Sequence, residues 1–364
     1  MAEIWRQLSS WFWQPYFWLP RGLQWEDLRP SATFQYPDYN DVWTYPFALA
    51  AVFLVFRSLI INPLILQPLA HKCGISSART RPPASNEVLE KIFNLYKNKV
   101  PQNVITESSV SLKWHERQVE RWLRRRYISS CPTKFDKFCD CGFQFLFHSV
   151  YFVMGWGVMY TKDWVWDISQ CWENYPHHEI DSDVWWYYMT GLAFFWSSTA
   201  WSISEIGNSD NVKMYLHHLF TILLMTFSWT CNFTRIGSLV LLVHECADIP
   251  SLIAKMFLYA KIEKPVNPLF MIFMTMWIIT RMGLYPFWIL RSVFFEAYHY
   301  TWMPAAFVFY GLLTGLLVLN LLWTWIIIHV MIRKITAGKL EDIRSEDEHM
   351  SENSDEEIYS KKIE

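Results

Sequence analysis

Two short stretches of this sequence hold side chains whose types and spacing could do chemistry. The first is Lys213-Met214-Tyr215-Leu216-His217-His218-Leu219 and the second His244-Glu245-Cys246-Ala247-Asp248. On a helix, His244 and Asp248 are four apart and Glu245 and Asp248 three apart, so Asp248 stacks beside both and one face carries imidazole and carboxylate together. A lone histidine in an apolar helix commonly does no more than bond a backbone carbonyl; a histidine pair beside a His/Glu/Asp stripe favours chemistry. Two chemistries would use such a set. A neutral imidazole takes a proton from an attacking amine or hydroxyl while a carboxylate fixes its tautomer and stabilises the cation. Alternatively, histidine itself attacks a thioester and carries the acyl group before passing it on. Metal binding is a third option that adjacent histidines serve poorly, because neighbours on a helix point about 100° apart.

Both stretches fall in runs able to cross a membrane. At 52% hydrophobic and 18% aromatic, with 22 Trp, the 364 residues are too apolar for two or three soluble domains. A crossing needs roughly 20 residues of helix, and low-charge runs of that size lie at about 44–66, 141–161, 184–204, 214–232, 236–259, 266–290 and 303–332. The expected fold is an all-α, polytopic transmembrane bundle of about seven spans with a small cytosolic helical element. An ionised Asp, Lys or Arg inside a span costs roughly 2.5–3.5 kcal/mol, so each needs a reason. Arg57 and Arg281 look isolated, whereas the two stretches above are the densest set. Counted from the span ends, His217 sits roughly 6 Å deep and Asp248 roughly 17 Å, so a shared cavity requires tilt and side-chain reach to close about 11 Å.

Lys and Arg set the orientation. About fourteen lie in 67–139, including Arg124, Arg125 and Arg126, whereas 162–183 holds only Lys162. That puts the N-terminus in a lumen and the C-terminus in the cytosol. Residues 1–43 read as an interfacial aromatic segment, since Trp5, Trp11, Trp13 and Trp18 broken by Pro15 and Pro20 do not make a signal peptide. A first transmembrane helix at 44–66, a cytosolic region at 67–136, a membrane domain at 137–332 and an acidic cytosolic tail at 333–364 follow. The tail, with Ser351-Glu352-Asn353-Ser354-Asp355-Glu356-Glu357, holds too few apolar residues to order itself, and its serines before acids are candidate phosphorylation sites. Seven cysteines without a C-x-x-C pair indicate neither a disulfide framework nor a metal site.

In the cytosolic region, Asn86–Phe93 and Glu107–Tyr127 are expected to be short helices, the second carrying Arg117-Gln118-Val119-Glu120-Arg121-Trp122-Leu123-Arg124-Arg125-Arg126. This run resembles the end of a homeodomain, truncated. Arg125 stands where homeodomains place the asparagine that reads adenine, so DNA is not an expected partner. Anionic membrane lipid or an acyl-CoA phosphate suits the element better.

From about Lys137 to Ile332 the sequence resembles the TLC-domain membrane proteins and, within them, the ceramide synthases. The stretches that carry this are Tyr215-Leu216-His217-His218-Leu219-Phe220-Thr221, Phe227-Ser228-Trp229, Arg235-Ile236-Gly237-Ser238-Leu239, His244-Glu245-Cys246-Ala247-Asp248, Ala254-Lys255-Met256 and Tyr285-Pro286-Phe287-Trp288. The resemblance implies an endoplasmic reticulum enzyme that joins the acyl group of a fatty acyl-CoA to the amine of a sphingoid base. His217 and His218 match the paired histidines of the family motif, and His244 and Asp248 match it too. One of the pair is implied to be base or acyl acceptor, with Asp248 as its orienting partner and Glu245 beside it. Lys213, Trp229 and Arg235 are the substrate-binding candidates. No metal and no cofactor beyond the acyl-CoA co-substrate is implied, and association as a homo- or heterodimer is left open.

Two positions and one stretch depart from the family pattern. Glu245 stands where an Asp is usual and Gly191 where a Glu is usual, and Glu205-Ile206-Gly207-Asn208-Ser209-Asp210 replaces a Lys/Arg-rich run. A second expectation therefore stands beside the first: a catalytically weak or inactive relative that senses lipid or assists another protein. The connection Arg291–Tyr298 looks like that of members handling palmitoyl-length chains. Asn232-Phe233-Thr234 is a glycosylation sequon so near the bilayer that it is expected to stay unused.

Overall fold

The computed structural model describes residues 2–30, 34–97, 99–204 and 211–337. The Glu205–Asp210 departure and the acidic run after 345 therefore lie outside the described residues. Helix α1 (Ala2–Phe12) leaves Ile4, Leu8, Trp11 and Phe12 exposed, four apolar residues at helical spacing. The chain then turns inward. Trp18 and Leu19, each 1% exposed, wedge into the bundle, and the Phe17 carbonyl accepts from Ala305 N at 2.9 Å. The aromatic segment is thus half free surface and half plug.

Helix α2 (Asp41–Lys72) widens to π-helical turns over Arg57–Leu66. Pro63 lies in this stretch and has no N–H to offer an α-register acceptor. The basic region that follows forms three helices, α3 (Glu87–Tyr96), α4 (Gln102–Leu112) and α5 (Glu116–Ser130), around Leu89, Phe93, Ile105, Val119, Trp122 and Leu123. The sequence predicts one helix over 107–127, but the structure splits it. Lys113 adopts a left-handed conformation (φ 55°), and α5 restarts with the His115 N–H donating to Gln118 Oε1 at 2.9 Å. Arg125 Nε donates to the Arg81 carbonyl at 3.1 Å, so this arginine fastens the element to its own leading chain.

The rest is a bundle of long helices: α6 (Lys134–Met159), α7 (Ser182–Ser204), α8 (Asn211–Thr230), α9 (Thr234–Glu245), α10 (Asp248–Tyr259), α11 (Val266–Tyr300) and α12 (Ala306–Ala337). Helix occupies each of the seven segments expected to span. Four helical stretches, Asp41–Lys72, Thr234–Tyr259, Val266–Tyr300 and Ala306–Arg333, combine the length and apolar composition of a crossing. Helices α6, α7 and α8, of 26, 23 and 20 residues, have the length but mix Trp, Tyr, His and other polar residues among the aliphatic ones. No strand occurs among the described residues.

The segment 236–259, expected as one continuous helix, is interrupted by a turn at Cys246-Ala247. Pro250 accounts for it, because it cannot donate to the carbonyl of Cys246 four residues back and its ring crowds that carbonyl. Helix α7 packs on α2 and α8, α8 on α12, α9 on α11, and α10 on α6 and α11. We refer to the end near Trp18, Trp172 and Trp229 as the tryptophan-rich end and the opposite one as the basic end.

Candidate functional site

The helices enclose a cavity of about 410 Å³ that runs along the bundle. Arg57, Trp201, Met214 and Lys255 line it toward the basic end, and Trp172, Phe233, Thr301 and Met303 toward the tryptophan-rich end. His217, His218, His244, Glu245 and Asp248 all line this one cavity, although they come from three helices.

Each imidazole is held differently. His218 Nδ1 lies 3.1 Å from Thr199 Oγ1, and the Thr199 hydroxyl proton goes to the Phe195 carbonyl at 2.8 Å. With that proton committed, Thr199 accepts and His218 Nδ1 donates, which leaves a lone pair on Nε2. His217 Nδ1 is buried with no hydrogen-bond partner, and its ring meets the edge of Trp323 at 5.3 Å. His244 Nδ1 donates to the Val240 carbonyl at 2.8 Å, the bland bond of an intrahelical histidine, while Asn320 Nδ2 lies 3.4 Å from its Nε2.

The carboxylates also have partners, and not those the spacing implied. Asp248 Oδ2 accepts from Arg281 Nη2 at 3.1 Å, and the same nitrogen donates to the His244 carbonyl at 2.5 Å. The turn at 246–247 matters here, since in an unbroken helix that carbonyl would be occupied by the Asp248 N–H. The carboxylate–imidazole pair of the site is instead Glu245 with His148 of α6, Oε2 to Nδ1 at 2.5 Å. Arg281 also lies over the Trp277 ring at 4.8 Å. Arg57 ion-pairs with Asp140 and rests on the Trp201 ring at 3.7 Å. The two arginines that look isolated in the sequence, 4% and 3% exposed, are thus both paired across helices.

The three substrate-binding candidates do not join the cluster. Trp229 is buried at the tryptophan-rich end, where its Nε1 donates to the Asp38 carbonyl at 2.8 Å. Arg235 donates from Nη1 to the Gln170 carbonyl at 2.7 Å and sits over the Trp164 ring at 4.8 Å, fastening a connection between helices. Lys213 is half-buried near the start of α8. None of the three is among the residues lining the cavity, whereas Lys255 is.

Two glycines seat tyrosine hydroxyls, and of the two Gly237 lines the cavity. A Cβ at Gly191 would lie 2.2 Å from the Tyr151 hydroxyl, so the position where the family usually has Glu is here the seat of a tyrosine that donates to the Tyr187 carbonyl at 3.0 Å. A Cβ at Gly237 would lie 1.7 Å from the hydroxyl of Tyr188, which pairs with Ser228 at 2.8 Å. Beyond the tryptophan-rich end of the cavity, the Asn232 side chain is buried and donates to the carbonyls of Pro176 and His178 at 2.7 and 2.9 Å. The sequon nitrogen is therefore engaged inside the fold. His178 lies in the same connection, its Nε2 donating to the Glu173 carbonyl at 2.6 Å, and burial pushes its pKa down to about 4.

Sequence reasoning passed over His148, Thr199 and Asn320. His148 is a single imidazole in an aromatic run, Phe147-His148-Ser149, and only its distant partner makes it notable. Asn320 is an amide amid aliphatic residues of α12, a costly placement that was itself a signal.

Comparison with known proteins follows the same lines. A family model described as the TLC domain matches residues 137–329. Human ceramide synthase 5 is 34% identical over 352 residues, covering 96% of this chain and 89% of its own length. Human ceramide synthase 3 is 34% identical (93% of this chain, 88% of its own), and bovine ceramide synthase 4 is 32% identical (95% and 88%).

Proposed function

Because the chain belongs to the TLC-domain family and is similar along nearly its whole length to ceramide synthases, we propose that it makes ceramide by joining a fatty acyl group from acyl-CoA to the amine of a sphingoid base. The observation that carries this reading is the convergence of the α8 histidine pair and the His244-Glu245-Asp248 stretch on one cavity that is polar at its middle and apolar toward one end. A thioester carbonyl seated beside His217 and His218 meets imidazoles that serve as base or as acyl acceptor. His218 suits either use, with Nε2 left as its lone-pair nitrogen by Thr199. Asp248 balances the buried Arg281 charge and keeps the turn beside the site in place. The apolar half suits long acyl chains, in line with the lean toward palmitoyl length.

The chain crosses the endoplasmic reticulum membrane seven times, with the N-terminus lumenal and the C-terminus cytosolic. The seven helical segments, with α9 and α10 sharing one, and the concentration of Lys and Arg in the α3–α5 region support this arrangement. Acyl-CoA then enters from the cytosolic side, near Lys255, where its phosphates find positive charge. The departures at Gly191 and Glu245 are accommodated in the fold, the first by the Tyr151 hydroxyl and the second by His148.

The test is amide formation by the purified chain from a panel of acyl-CoAs and a sphingoid base, read by mass spectrometry. Product is expected, and His218→Ala and Asp248→Ala are each expected to lower its rate about 100-fold or more. Lipid binding without turnover would instead establish an accessory, lipid-sensing protein.

A further inference from the structure

Acyl transfer to an amine leaves a proton to be disposed of. As the amine nitrogen bonds to the thioester carbon it carries one hydrogen too many for an amide, whether the acyl group arrives directly or by way of a histidine. A base must stand in the cavity to receive it. Four imidazoles line that cavity, and their partners differ. His218 is held by a neutral hydroxyl, His244 by a carbonyl of its own helix, and His217 Nδ1 by nothing. His148 is bonded to a carboxylate, that of Glu245. Glu245 is almost wholly buried and comes from a different helix, 97 residues along the chain. When an imidazole takes a proton inside a low-dielectric wall, an adjacent carboxylate lowers the cost of the cation, which a hydroxyl or carbonyl does far less well. With Nδ1 fixed by Glu245, the proton-accepting nitrogen is Nε2, which makes no hydrogen bond among the described residues.

We propose that His148, held by Glu245, is the base that takes the amine proton, a role resting on the N-acyltransferase reading. The amine nitrogen forms the N–C bond, its surplus proton passes to His148 Nε2, the C–S bond breaks, and the CoA sulfur leaves with the electron pair. His148 then returns the proton to that sulfur, so one acyl-CoA and one amine give one amide and one free CoA thiol. Glu245 is the positioning residue of this pair. Its carboxylate, longer by one methylene than the Asp usual at this position, is what reaches α6.

The full chain reconstituted in lipid vesicles provides the test, with amide formation from acyl-CoA and a sphingoid base followed for the parent, His148→Ala, His148→Gln and Glu245→Gln. His148→Ala is expected to lower kcat about 100-fold or more, to leave KM for acyl-CoA within about threefold, and to regain rate when free imidazole is added. Glu245→Gln keeps the hydrogen bond and removes the charge, so a loss of about tenfold or more in kcat is expected. An active parent together with His148 variants within threefold of its kcat overturns this inference alone. A parent that makes no amide overturns the N-acyltransferase reading, and this inference with it. Should the His148 variants fail to fold, Glu245→Gln decides: undiminished kcat overturns the proposal and the loss stated above supports it.

Discussion

Toward the basic end, the cavity wall is tied together by polar pairs that cross from helix to helix: Arg57 with Asp140, His148 with Glu245, Arg281 with Asp248 and His218 with Thr199. Toward the tryptophan-rich end it is shaped by rings resting on small residues, as where Tyr188 lies against Gly237, and by Trp172 held through Ser292 at 2.7 Å. The contrast separates two ways of making a wall. Charged pairs fix position and protonation, and removing one member leaves a buried charge uncompensated. Ring-on-glycine packing fixes shape, and changing it costs strain or volume.

The largest effect should come from the polar half. Arg281→Met strands the Asp248 carboxylate and the His244 carbonyl. Breaking a buried pair costs about 3–5 kcal/mol, and because the Asp248 side chain is 35% exposed the lower end, about 3 kcal/mol, is expected. A thermal melt in detergent should register the loss, and Asp248→Asn in the same chain should return much of it. Equal melting of the single and double variants would remove the distinction drawn for this half.

In the apolar half, Gly237→Ala forces the Tyr188 ring aside and breaks its bond to Ser228, at an expected cost of about 1–3 kcal/mol. Tyr188→Phe vacates the hydroxyl and should relieve part of it. Among correctly folded molecules, Gly237→Ala should shift products toward shorter acyl chains with little change in rate for short donors. A uniform loss across all donors would show that this half does more than shape the cavity.

His178 sharpens the comparison through pH. Its pKa near 4 in the fold, against about 6.5 when unfolded, means the unfolded chain binds the proton first as pH falls. Its contribution is therefore complete above about pH 6.5 and is lost progressively down to about pH 4, amounting to about 1 kcal/mol by pH 5.5. Melting followed from pH 7 to pH 5.5 should show this slope, flattened in His178→Gln. The smallest effect belongs outside the bundle. Arg126→Ala, which breaks a partly exposed pair with Glu90, should cost about 1 kcal/mol or less and leave amide formation unchanged.

The helices were legible because their signal is local. Low-charge runs of crossing length marked helix in all seven segments, four of which have the apolar composition of a crossing, since nothing but internal hydrogen bonding satisfies the backbone of such a run in lipid. Lys113 and Pro250 were weaker marks. A left-handed lysine is invisible in composition, and a proline inside an apolar run reads as easily as a kink as it does as the turn it makes here. Part of the cavity lining was legible, but its pairing was not. His217, His218, His244, Glu245 and Asp248 announce themselves by their cost in an apolar setting, and they do share a cavity.

By itself, then, the sequence determined that this is a helical membrane protein of the TLC-domain family with imidazoles and carboxylates set into its spans, because hydrophobic length and the cost of a buried polar group are properties of the chain at each position. Only the tertiary structure decided that Glu245 meets His148, that Asp248 meets Arg281, and that Trp229 and Arg235 brace connections away from the cavity. These partners are separated by tens to nearly two hundred residues, and which of them touch depends on how helices rotate and pack against one another, which no periodicity along one helix records.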